Sequence, residues 1–394
     1  MSKQKLLFVI DSLECGGAEK SLVSLLSLLD YSRYDVHLLM FSPTGMYLSL
    51  LPEQVNILPE LPYMRYCREG GRPKLRWCLS RVQTALWLRM QPKYHGRRLH
   101  SSQIYWKYVS PSLAPLPGIY DAAIAWGQGN PVPYVAEKVQ AKRKIAFINA
   151  DYEAIGYNKW FDRPYYEACD WIAAVSAKLC DTIGGVYPDL RDRMRTIYDI
   201  RNQSLTEQMS LAFQPYMKEA GVPVLATVGR MAVQKGYDLA VGAGVLLKAR
   251  GIPFRWYLIG DGPEYSRICT LIETSGLSDR MFAVGAKENP YPYVKHADVY
   301  VQTSRTEGYC LTLSEARGLH TPPVSTNFEL VHEHIRNGEN GLIVEMTPEA
   351  IADGIETMLR NDALRESIRQ TLSRERVGNE EEIEKFYELL EADT

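Results

Sequence analysis

The chain has 394 residues, of which 46% are hydrophobic and 23% are charged, and its formal net charge at pH 7 is -2. This composition is typical of a globular protein with two or three domains and excludes a disordered or fibrous chain. A net charge this close to zero also excludes a general electrostatic attraction to nucleic acid, so any basic feature has to act locally.

The cysteines and the apolar segments indicate the cellular compartment. Seven cysteines without a C-x-x-C pair argue against a disulfide framework and a zinc knuckle, and they favour a reducing cytosol. The apolar run near the N-terminus is too short for a signal peptide, and no window reaches about 18 apolar residues. We therefore expect a cytoplasmic protein without a membrane-spanning segment.

The first half of the chain alternates strands with helices. Residues 6–10 form a continuous apolar run typical of a buried parallel strand, and a helix is predicted over residues 19–29. Gly16 and Gly17 lie between them, where a glycine loop lets backbone N–H groups approach an anion, although a plain tight turn would also explain both glycines. Further strands are predicted at residues 35–41, 54–58, 121–126, 144–148 and 171–175. This alternation predicts a parallel sheet with helices on both faces.

A basic, aromatic segment over residues 63–107 interrupts the alternation, with eleven Lys or Arg residues against one acidic residue. Within it, residues 75–90 can form a helix that has its apolar side chains on one face, flanked by Arg76, Arg81 and Arg89. Such a helix suits an anionic membrane surface or a large anionic acceptor. The alternative is a helix that packs its apolar face on the sheet and exposes a basic face. No nucleic-acid recognition module accompanies the segment, so nucleic acid is not an expected partner.

A second series of strands begins after a polar region at residues 198–222. The predicted strands cover residues 224–228, 256–259, 282–284, 298–302, 323–326 and 342–344, with helices between them. We place the first domain at residues 1–199, the second at 200–375, and a final amphipathic helix within 376–394. Two doubly wound domains in succession imply a ligand-binding cleft between the carboxyl ends of their sheets.

Two loops of the second domain carry side chains suited to a phosphate and a sugar. The loop after residues 224–228 contains Arg230 and Lys235 ahead of a helix N-terminus, an arrangement that favours a diphosphate, although such cations are often only solvated. The segment 304–316 holds Glu307 and Glu315 on a strand-to-helix loop.

The start of the helix in segment 304–316 offers backbone donors as well. Unpaired N–H groups at a helix N-terminus can bind sugar hydroxyls or a phosphate. The residues concerned are Gly308, Tyr309, Cys310, Leu311 and Thr312. A capping box between Thr312 and Glu315 is the purely structural alternative for Glu315.

Several motifs occur together in the order found in one known family. They are G-G-A-E from Gly16, G-R-x4-K-G from Gly229, I-G-D-G-P-E from Ile259, A-D-V from Ala297, E-x7-E from Glu307 and N-G-E-N-G-L-I-V from Asn337. With these motifs the chain resembles the retaining glycosyltransferases of family four, and in particular those that build bacterial surface polysaccharides. The likeness covers nearly the whole chain and is strongest in its C-terminal half.

The resemblance implies an α/β protein of the GT-B fold, in which two Rossmann-like domains face a cleft and the last helix returns to the N-terminal domain. It also implies that the C-terminal domain holds a nucleotide-sugar donor. Glu307 would contact the donor sugar as a catalytic residue, Glu315 would contact the ribose, and Arg230 and Lys235 would neutralise the diphosphate. The sequence contains no D-x-D motif, which fits a metal-independent enzyme without a cofactor.

Three positions depart from the family pattern. The segment F-I-N-A-D-Y resembles a W-I-H-x-D motif, with Asp151 in place but Asn149 where the family has a histidine, and we include both residues among the catalytic candidates. An Asn can hydrogen-bond a sugar hydroxyl but cannot exchange a proton near neutral pH. Asp199 stands where an Asn is usual, and Phe328 where a small residue is common.

The function that follows from the resemblance is a retaining hexosyltransferase. It would move a sugar from a nucleotide diphosphate donor, with UDP as the expected nucleotide, to a saccharide acceptor that is lipid-linked, at the inner face of the membrane. Two alternatives remain open at this point. One is a non-catalytic sugar-nucleotide-binding partner of another transferase, for which Asn149 is the main support, and the other is a nucleotide-sugar epimerase on the same fold.

Overall fold

The computed structural model describes residues 3–14, 16–307 and 310–392, and these form two compact units. The first unit comprises the described residues up to Arg201 together with those from Asn379 onward, and the second unit is Asn202–Gly378. Each unit is built around one parallel sheet, and each has its own apolar core.

The sheet of the first unit has its switch point beside the first strand. Its strands are β1 (Gln4–Ile10), β2 (Tyr34–Met40), β3 (Asn56–Ile57), β6 (Ile119–Ala125), β7 (Gln140–Ile148), β8 (Trp171–Ala174) and β9 (Met194–Thr196), while β4 (Lys93–Tyr94) and β5 (Arg97–Arg98) form a separate hairpin. The order is β3-β2-β1-β6-β7-β8-β9, with every pair parallel. The strand order reverses between β1 and β6, which is the switch point where doubly wound sheets bind ligands.

Four helices of the first unit are capped by the side chain of the residue before them. They are α1 (Gly17–Leu28), α2 (Pro62–Glu69), α3 (Leu75–Met90), α4 (Ser101–Val109), α5 (Pro131–Lys138), α6 (Tyr152–Ile155), α7 (Lys159–Glu167) and α8 (Ala177–Val186), with 3₁₀ turns at Met46–Leu50, Ser110–Ser112 and Pro188–Arg193. Asn158 and Ser176 precede α7 and α8, and their side chains accept hydrogen bonds from the first free amides of these helices. A polar cap of this kind fixes where each helix starts.

Helix α3 exposes its apolar face and buries a more polar one, which is the reverse of an ordinary surface helix. Its inward face carries Trp77, Ser80 and Thr84, and the Ser80 hydroxyl lies 2.7 Å from that of Ser112. Its apolar side chains point to solvent instead, with Leu75 88% exposed. The other exposed apolar side chains of the helix are Leu79, Val82, Leu86, Leu88 and Met90. The alternative in which the apolar face packs on the sheet is therefore wrong.

None of the helices within the described ranges is long and apolar enough to span a bilayer.

The sheet of the second unit repeats the same topology. Its strands are β10 (Val224–Val228), β11 (Arg255–Ile259), β12 (Met281–Gly285), β13 (Val299–Gln302), β14 (Pro323–Thr326) and β15 (Leu342–Val344). The order is β12-β11-β10-β13-β14-β15, all parallel, so that the switch point lies between β10 and β13. The helices are α9 (Gln203–Ser210), α10 (Tyr237–Ala249), α11 (Tyr265–Thr274), α12 (Tyr291–Lys295), α13 (Leu311–Gly318), α14 (Pro348–Arg360) and α15 (Asp362–Arg374), with 3₁₀ turns at Val233–Lys235 and Val331–Glu333. The two parallel-sheet domains confirm the predicted fold class.

The last helix, α16 (Glu382–Glu391), belongs to the first unit. The ring of Phe386 is fully buried and stacks on that of Phe8, with 5.9 Å between the ring centroids. Tyr387 stacks on Tyr34 in the same way at 5.7 Å. The guanidinium of Arg143 also donates to the backbone carbonyls of Leu390 and Ala392. The C-terminal segment thus completes the core of the unit that contains the N-terminus.

We expect Phe386→Ala to lower the free energy of unfolding of the first unit by about 3–5 kcal/mol, because it removes a fully buried ring and leaves a cavity. Urea unfolding followed by circular dichroism measures this loss. The matched control is Glu388→Ala on the exposed face of the same helix, where a change within about 0.5 kcal/mol is expected. Equal urea midpoints for the two variants would contradict the structural role of Phe386.

Candidate functional site

The candidate site of the second unit lies at the switch point of its sheet. Strands β10 and β13 are direct neighbours, with Leu225 opposite Val299 and Ala226 opposite Tyr300. The loop that follows β10 contains Lys235, and the loop that follows β13 contains Glu307. Because both loops leave the same edge of the sheet, two residues that are 72 positions apart in the sequence come into contact.

Glycine allows the loops around this point to approach each other. Gly236 has a left-handed backbone (φ 64°), and a Cβ atom placed on it would lie 2.0 Å from the carbonyl oxygen of Thr303. A Cβ atom placed on Gly260, after β11, would likewise lie 1.9 Å from the carbonyl oxygen of Gly229. Any other residue at these two positions would push the loops apart.

Polar contacts then join the loop after β10 to the loop after β13. The Arg305 guanidinium makes a two-pronged ion pair with Asp238, with N–O distances of 2.9 and 2.7 Å. This contact holds the pKa of the Asp238 carboxyl below its usual value. The Thr303 hydroxyl donates to the Lys235 carbonyl at 3.0 Å, and the Arg305 amide donates to the Gln234 carbonyl at 2.7 Å. The two loops therefore behave as one rigid surface.

An ion pair between Lys235 and Glu307 lies at the centre of this surface. The Lys235 ammonium is 2.6 Å from Oε1 and 2.8 Å from Oε2 of Glu307. The two side chains are 20% and 8% exposed, so the pair is shielded from water but still accessible on the lysine side. In such an environment an ion pair is stronger than on the open surface.

The two oxygens of Glu307 differ in how many donors they already accept. Oε1 accepts from Lys235, from the Ser304 hydroxyl at 2.6 Å and from the Gln302 amide at 3.1 Å. Oε2 accepts only from Lys235 among the described residues. Gln302 is itself fixed by the Tyr300 hydroxyl at 2.7 Å. The carboxylate is thus held in one orientation and retains acceptor capacity on Oε2.

The N-terminus of α13 lies directly after this loop. Cys310, the residue before the helix, has a left-handed backbone (φ 57°), and its side chain does not cap the helix. Leu311 and Thr312 are the first two helical residues, so their amides are among the donors that a helix leaves unpaired. Burial raises the pKa of the Cys310 thiol to about 12, which keeps it protonated near neutral pH. Gly308 and Tyr309, whose backbone N–H groups the sequence analysis also named as possible donors, lie outside the described residues.

Glu315 is not part of a capping box. The capping-box alternative requires Thr312 to precede the helix, whereas Thr312 is inside it. Glu315 instead accepts a hydrogen bond from the Tyr291 hydroxyl at 2.9 Å. Tyr291 is buried at the start of α12, so it fixes the position of the half-buried Glu315 carboxylate.

Arg230 differs from Lys235 in its surroundings. It follows β10 and is exposed, and it forms no ion pair within the described part of the chain. Its guanidinium is therefore available to an anionic ligand. Phe328, by contrast, is buried after β14 and is 1% exposed.

In the first unit, Asn149 lies at the carboxyl end of β7 with an unsatisfied side chain. Its backbone amide donates to the Gln128 side chain at 3.0 Å, but neither its side-chain nitrogen nor its oxygen has a partner among the described residues, although both atoms are buried. Such atoms cost about 1–3 kcal/mol each unless a ligand or water satisfies them. Gly16 precedes α1, and the position where a Cβ atom of Gly17 would lie is open, with nothing within 4 Å.

Asp151 and Asp199 differ from each other in their surroundings. The Asp151 Oδ1 atom caps α6, accepting from the amides of Glu153 and Ala154 at 3.0 and 2.9 Å. It makes no hydrogen bond to the Asn149 side chain. Burial raises the pKa of the Asp199 carboxyl to about 6, so it is partly protonated near neutral pH.

The sequence did not identify the residues that hold the two glutamates. These are Ser304 and Gln302, which orient Glu307, and Tyr291, which orients Glu315. One signal was present: polar residues follow one another at the end of β13 in an otherwise apolar strand, and in the structure Gln302, Thr303 and Ser304 are all buried. The partnership of Tyr291 with Glu315 had no sequence signal, because it depends on how α12 packs.

Comparison with known proteins relates the second unit to glycosyltransferases. Residues 211–374 match the family described as Glycosyl transferases group 1. The lipopolysaccharide core biosynthesis glycosyltransferase LpsE of Rhizobium meliloti is 31% identical over 147 residues, which cover 37% of this chain and 42% of LpsE. The N-acetylgalactosamine-N,N'-diacetylbacillosaminyl-diphospho-undecaprenol 4-alpha-N-acetylgalactosaminyltransferase of Campylobacter jejuni is 27% identical over 145 residues, covering 36% and 39%. The chain thus spans about two fifths of the length of these curated relatives.

The whole chain resembles a solved structure as well. HepE of Anabaena, crystallised in complex with UDP, superimposes with a TM-score of 0.60 at 15% sequence identity, covering 98% of this chain and 99% of HepE. At this identity the likeness concerns the fold alone. The chain therefore has the GT-B fold, and its segment 211–374 is similar to the group 1 glycosyltransferases.

Proposed function

We propose that this protein is a retaining, metal-independent glycosyltransferase of polysaccharide synthesis that moves a hexose from a UDP-sugar to a lipid-linked saccharide. The observation that carries the proposal is the Lys235–Glu307 ion pair at the switch point of the second sheet, with the exposed Arg230 and the α13 N-terminus on the same edge. UDP in the HepE crystal and the diphospho-undecaprenol in the name of the Campylobacter relative support the choice of donor and acceptor.

The ion pair suggests how the donor is bound. A diphosphate competes with Glu307 for the Lys235 ammonium, and Arg230 and the free amides of α13 offer further donors to it. Oε2 of Glu307 then accepts a hydrogen bond from a hydroxyl of the sugar. Glu315, held by Tyr291, accepts from the ribose.

The same groups stabilise the transition state of transfer. As the bond between the anomeric carbon and the diphosphate oxygen breaks, its electron pair stays on the diphosphate, whose negative charge grows. Arg230 and Lys235 lie on the loop beside this growing charge and thus bind the transition state more tightly than the ground state. The acceptor oxygen forms the new bond to the anomeric carbon, and the proton of its hydroxyl is released with the nucleoside diphosphate.

In the first unit we assign Asn149 to the recognition of a saccharide. Its unpartnered amide can donate to one hydroxyl and accept from another. Since an amide cannot take up a proton near neutral pH, Asn149 positions the saccharide and does not act as a base. Gly17 leaves open space at the start of α1 for an approaching anion, whereas the Glu19 carboxylate lies beside Gly16.

Helix α3 is the surface that we assign to the membrane. Its solvent-exposed ridge of Leu75, Leu79, Val82, Leu86 and Met90 is contiguous at helical spacing. Arg76, Arg81 and Arg89 are exposed on the same helix. An apolar ridge with cations beside it matches the interface of a bilayer that contains anionic lipids. The enzyme would thus act as a peripheral protein on the cytoplasmic face, where a lipid-linked acceptor is accessible.

Arg230→Ala should weaken the binding of UDP about 10- to 100-fold, because it removes a charge-assisted contact of about 1.5–3 kcal/mol. Isothermal titration calorimetry in excess EDTA measures the affinity, since the proposed site needs no divalent metal. Arg360→Ala is the matched control: Arg360 is an exposed arginine at the end of α14 and is remote in sequence from both loops of the site. Its ion pair within the described ranges is with Glu356 of the same helix. UDP affinity that is unchanged in Arg230→Ala would contradict the diphosphate site.

Glu307→Gln should lower kcat at least about 100-fold without weakening UDP binding, because a sugar contact is lost while Lys235 is freed from the carboxylate that competes with the diphosphate. Transfer of labelled sugar to a saccharide acceptor measures kcat. Ser304→Ala, which removes one donor to Oε1 but keeps the carboxylate, should cost only about tenfold. Near-normal transfer in Glu307→Gln would overturn the assignment. A wild-type protein that converts the donor without any acceptor would instead indicate an epimerase.

The double variant Leu79→Gln/Leu86→Gln should reduce co-sedimentation with vesicles containing anionic phospholipid about tenfold or more, because two exposed leucines no longer enter the interface. The control is Leu211→Gln/Met217→Gln, which changes two exposed apolar side chains of the second unit. If both double variants bind vesicles as the wild type does, α3 is not the membrane surface.

A further inference from the structure

A cavity of about 640 Å³ lies in the first unit, away from the carboxyl ends of the strands. Lys5 and Tyr120, which line it, are the second residues of β1 and β6. The candidate ligand-binding edge of this sheet is at the opposite end of the same strands. From Lys5 to Ile10 the distance along β1 is about 17 Å. The cavity is therefore separate from Asn149 and Gly17, which lie at the carboxyl ends of the strands.

The cavity has an excess of positive charge that the protein itself does not neutralise. Two carboxylates line it, Glu60 and Glu69, and both are paired with Arg68 at 2.7 and 2.9 Å. Three cations line it as well, and none of them forms an ion pair within the described ranges: Lys5, Arg65 and Arg72. With Arg68, four cations therefore stand against two carboxylates, and the remaining positive charge of the cavity attracts an anion.

Two buried ring nitrogens at the cavity also lack a partner. Trp77 is 8% exposed, and its indole nitrogen makes no hydrogen bond to any described residue. The Nδ1 atom of His37 is likewise buried without a partner in the described part of the chain, while its Nε2 atom lies 3.2 Å from Asp35. An indole N–H can only donate, so its missing partner is an acceptor such as a phosphate or ester oxygen. Trp77 is held in place by Tyr66, whose ring stacks on it with 5.3 Å between centroids.

The remaining walls are apolar and adjoin the exposed ridge of α3. Leu61, Pro62, Leu116 and Pro117 contribute to them. Trp77 connects the two features, because it lines the cavity from the inward face of α3 while Leu75 and Leu79 on either side of it are exposed. A ligand in the cavity therefore lies beside the surface that we assign to the membrane. Free cations, a buried donor and apolar walls together match an amphiphile with an anionic head.

We infer that this cavity binds the phosphate-bearing head group of an anionic phospholipid and so anchors the enzyme at the membrane. Arg65, Arg72 and Lys5 compensate the phosphate charge, and the Trp77 indole donates to one of its oxygens. The apolar walls contact the glycerol and the first methylenes. The inference rests on the proposed membrane association of α3. The bound lipid is an anchor and not the acceptor, because it lies at the amino ends of the strands.

Equilibrium dialysis with radiolabelled dihexanoylphosphatidylglycerol, kept below its critical micelle concentration, tests the cavity without a membrane. The wild type should bind this lipid, and the zwitterionic dihexanoylphosphatidylcholine at least about tenfold more weakly. Arg65→Gln/Arg72→Gln should weaken phosphatidylglycerol binding about tenfold or more, since two charge-assisted contacts are lost. Lys93→Gln/Arg97→Gln is the matched control, because it removes two exposed cations of the same basic segment that do not line the cavity.

Trp77→Phe, which keeps an aromatic ring but removes the N–H donor, should weaken binding about threefold or more. Equal losses in the two double charge variants, or unchanged binding in Trp77→Phe, would overturn the inference. Displacement of the lipid by inorganic phosphate at equal concentration would also overturn it, since the site would then recognise free phosphate.

The same measurements separate this inference from the proposed membrane surface. Leu79→Gln/Leu86→Gln should lose vesicle binding and keep the soluble lipid. A wild type that binds anionic vesicles but not dihexanoylphosphatidylglycerol would reject the cavity site and leave the role of α3 intact. A wild type that binds the soluble lipid but not vesicles would support the cavity and reject the α3 surface.

Discussion

The parallel pairing of β10 with β13 is the constraint on which the candidate site depends. It brings together two loops that are far apart in the sequence, and the glycine at position 236 lets their backbones touch. Once the loops are in contact, the Arg305–Asp238 pair and the Thr303 hydroxyl lock them, and Lys235 meets Glu307. An unpaired cation or carboxylate in this shielded position would be costly, so each of the two stabilises the other.

The two units share one sheet topology but differ in the side chains at their switch points. In the second unit the switch point holds charged and polar groups already bonded to each other, which gives a rigid, pre-organised surface. In the first unit the corresponding edge carries the open space at Gly17 and the unsatisfied amide of Asn149. Elsewhere in the same unit, α3 of the basic segment exposes leucines and buries Ser80 and Thr84. An arrangement of this kind is unfavourable in water, and it is explained if α3 lies against a bilayer.

Much of the architecture could be predicted from local patterns. Strand-length runs, some continuously apolar and some alternating, identify twelve of the strands, because strands of a sheet covered by helices carry mostly apolar side chains. The short β9 and the hairpin of β4 and β5 were not predicted, since two or three residues give no period to recognise. For α3 the sequence predicted the helix and its apolar face, but periodicity cannot tell whether such a face turns inward or outward.

For the site, the sequence by itself determined the residue types and their order along the chain. Arg230, Lys235, Glu307 and Glu315 were identifiable because cations and carboxylates at the ends of predicted strands are chemically conspicuous. Only the tertiary structure decided that Lys235 binds Glu307 and that Tyr291 holds Glu315. It also decided that Asp151 caps α6 and that Arg68 pairs with both carboxylates of the cavity. The physical reason is that each of these is a contact between side chains whose distance depends on strand order and helix packing, which no local pattern records.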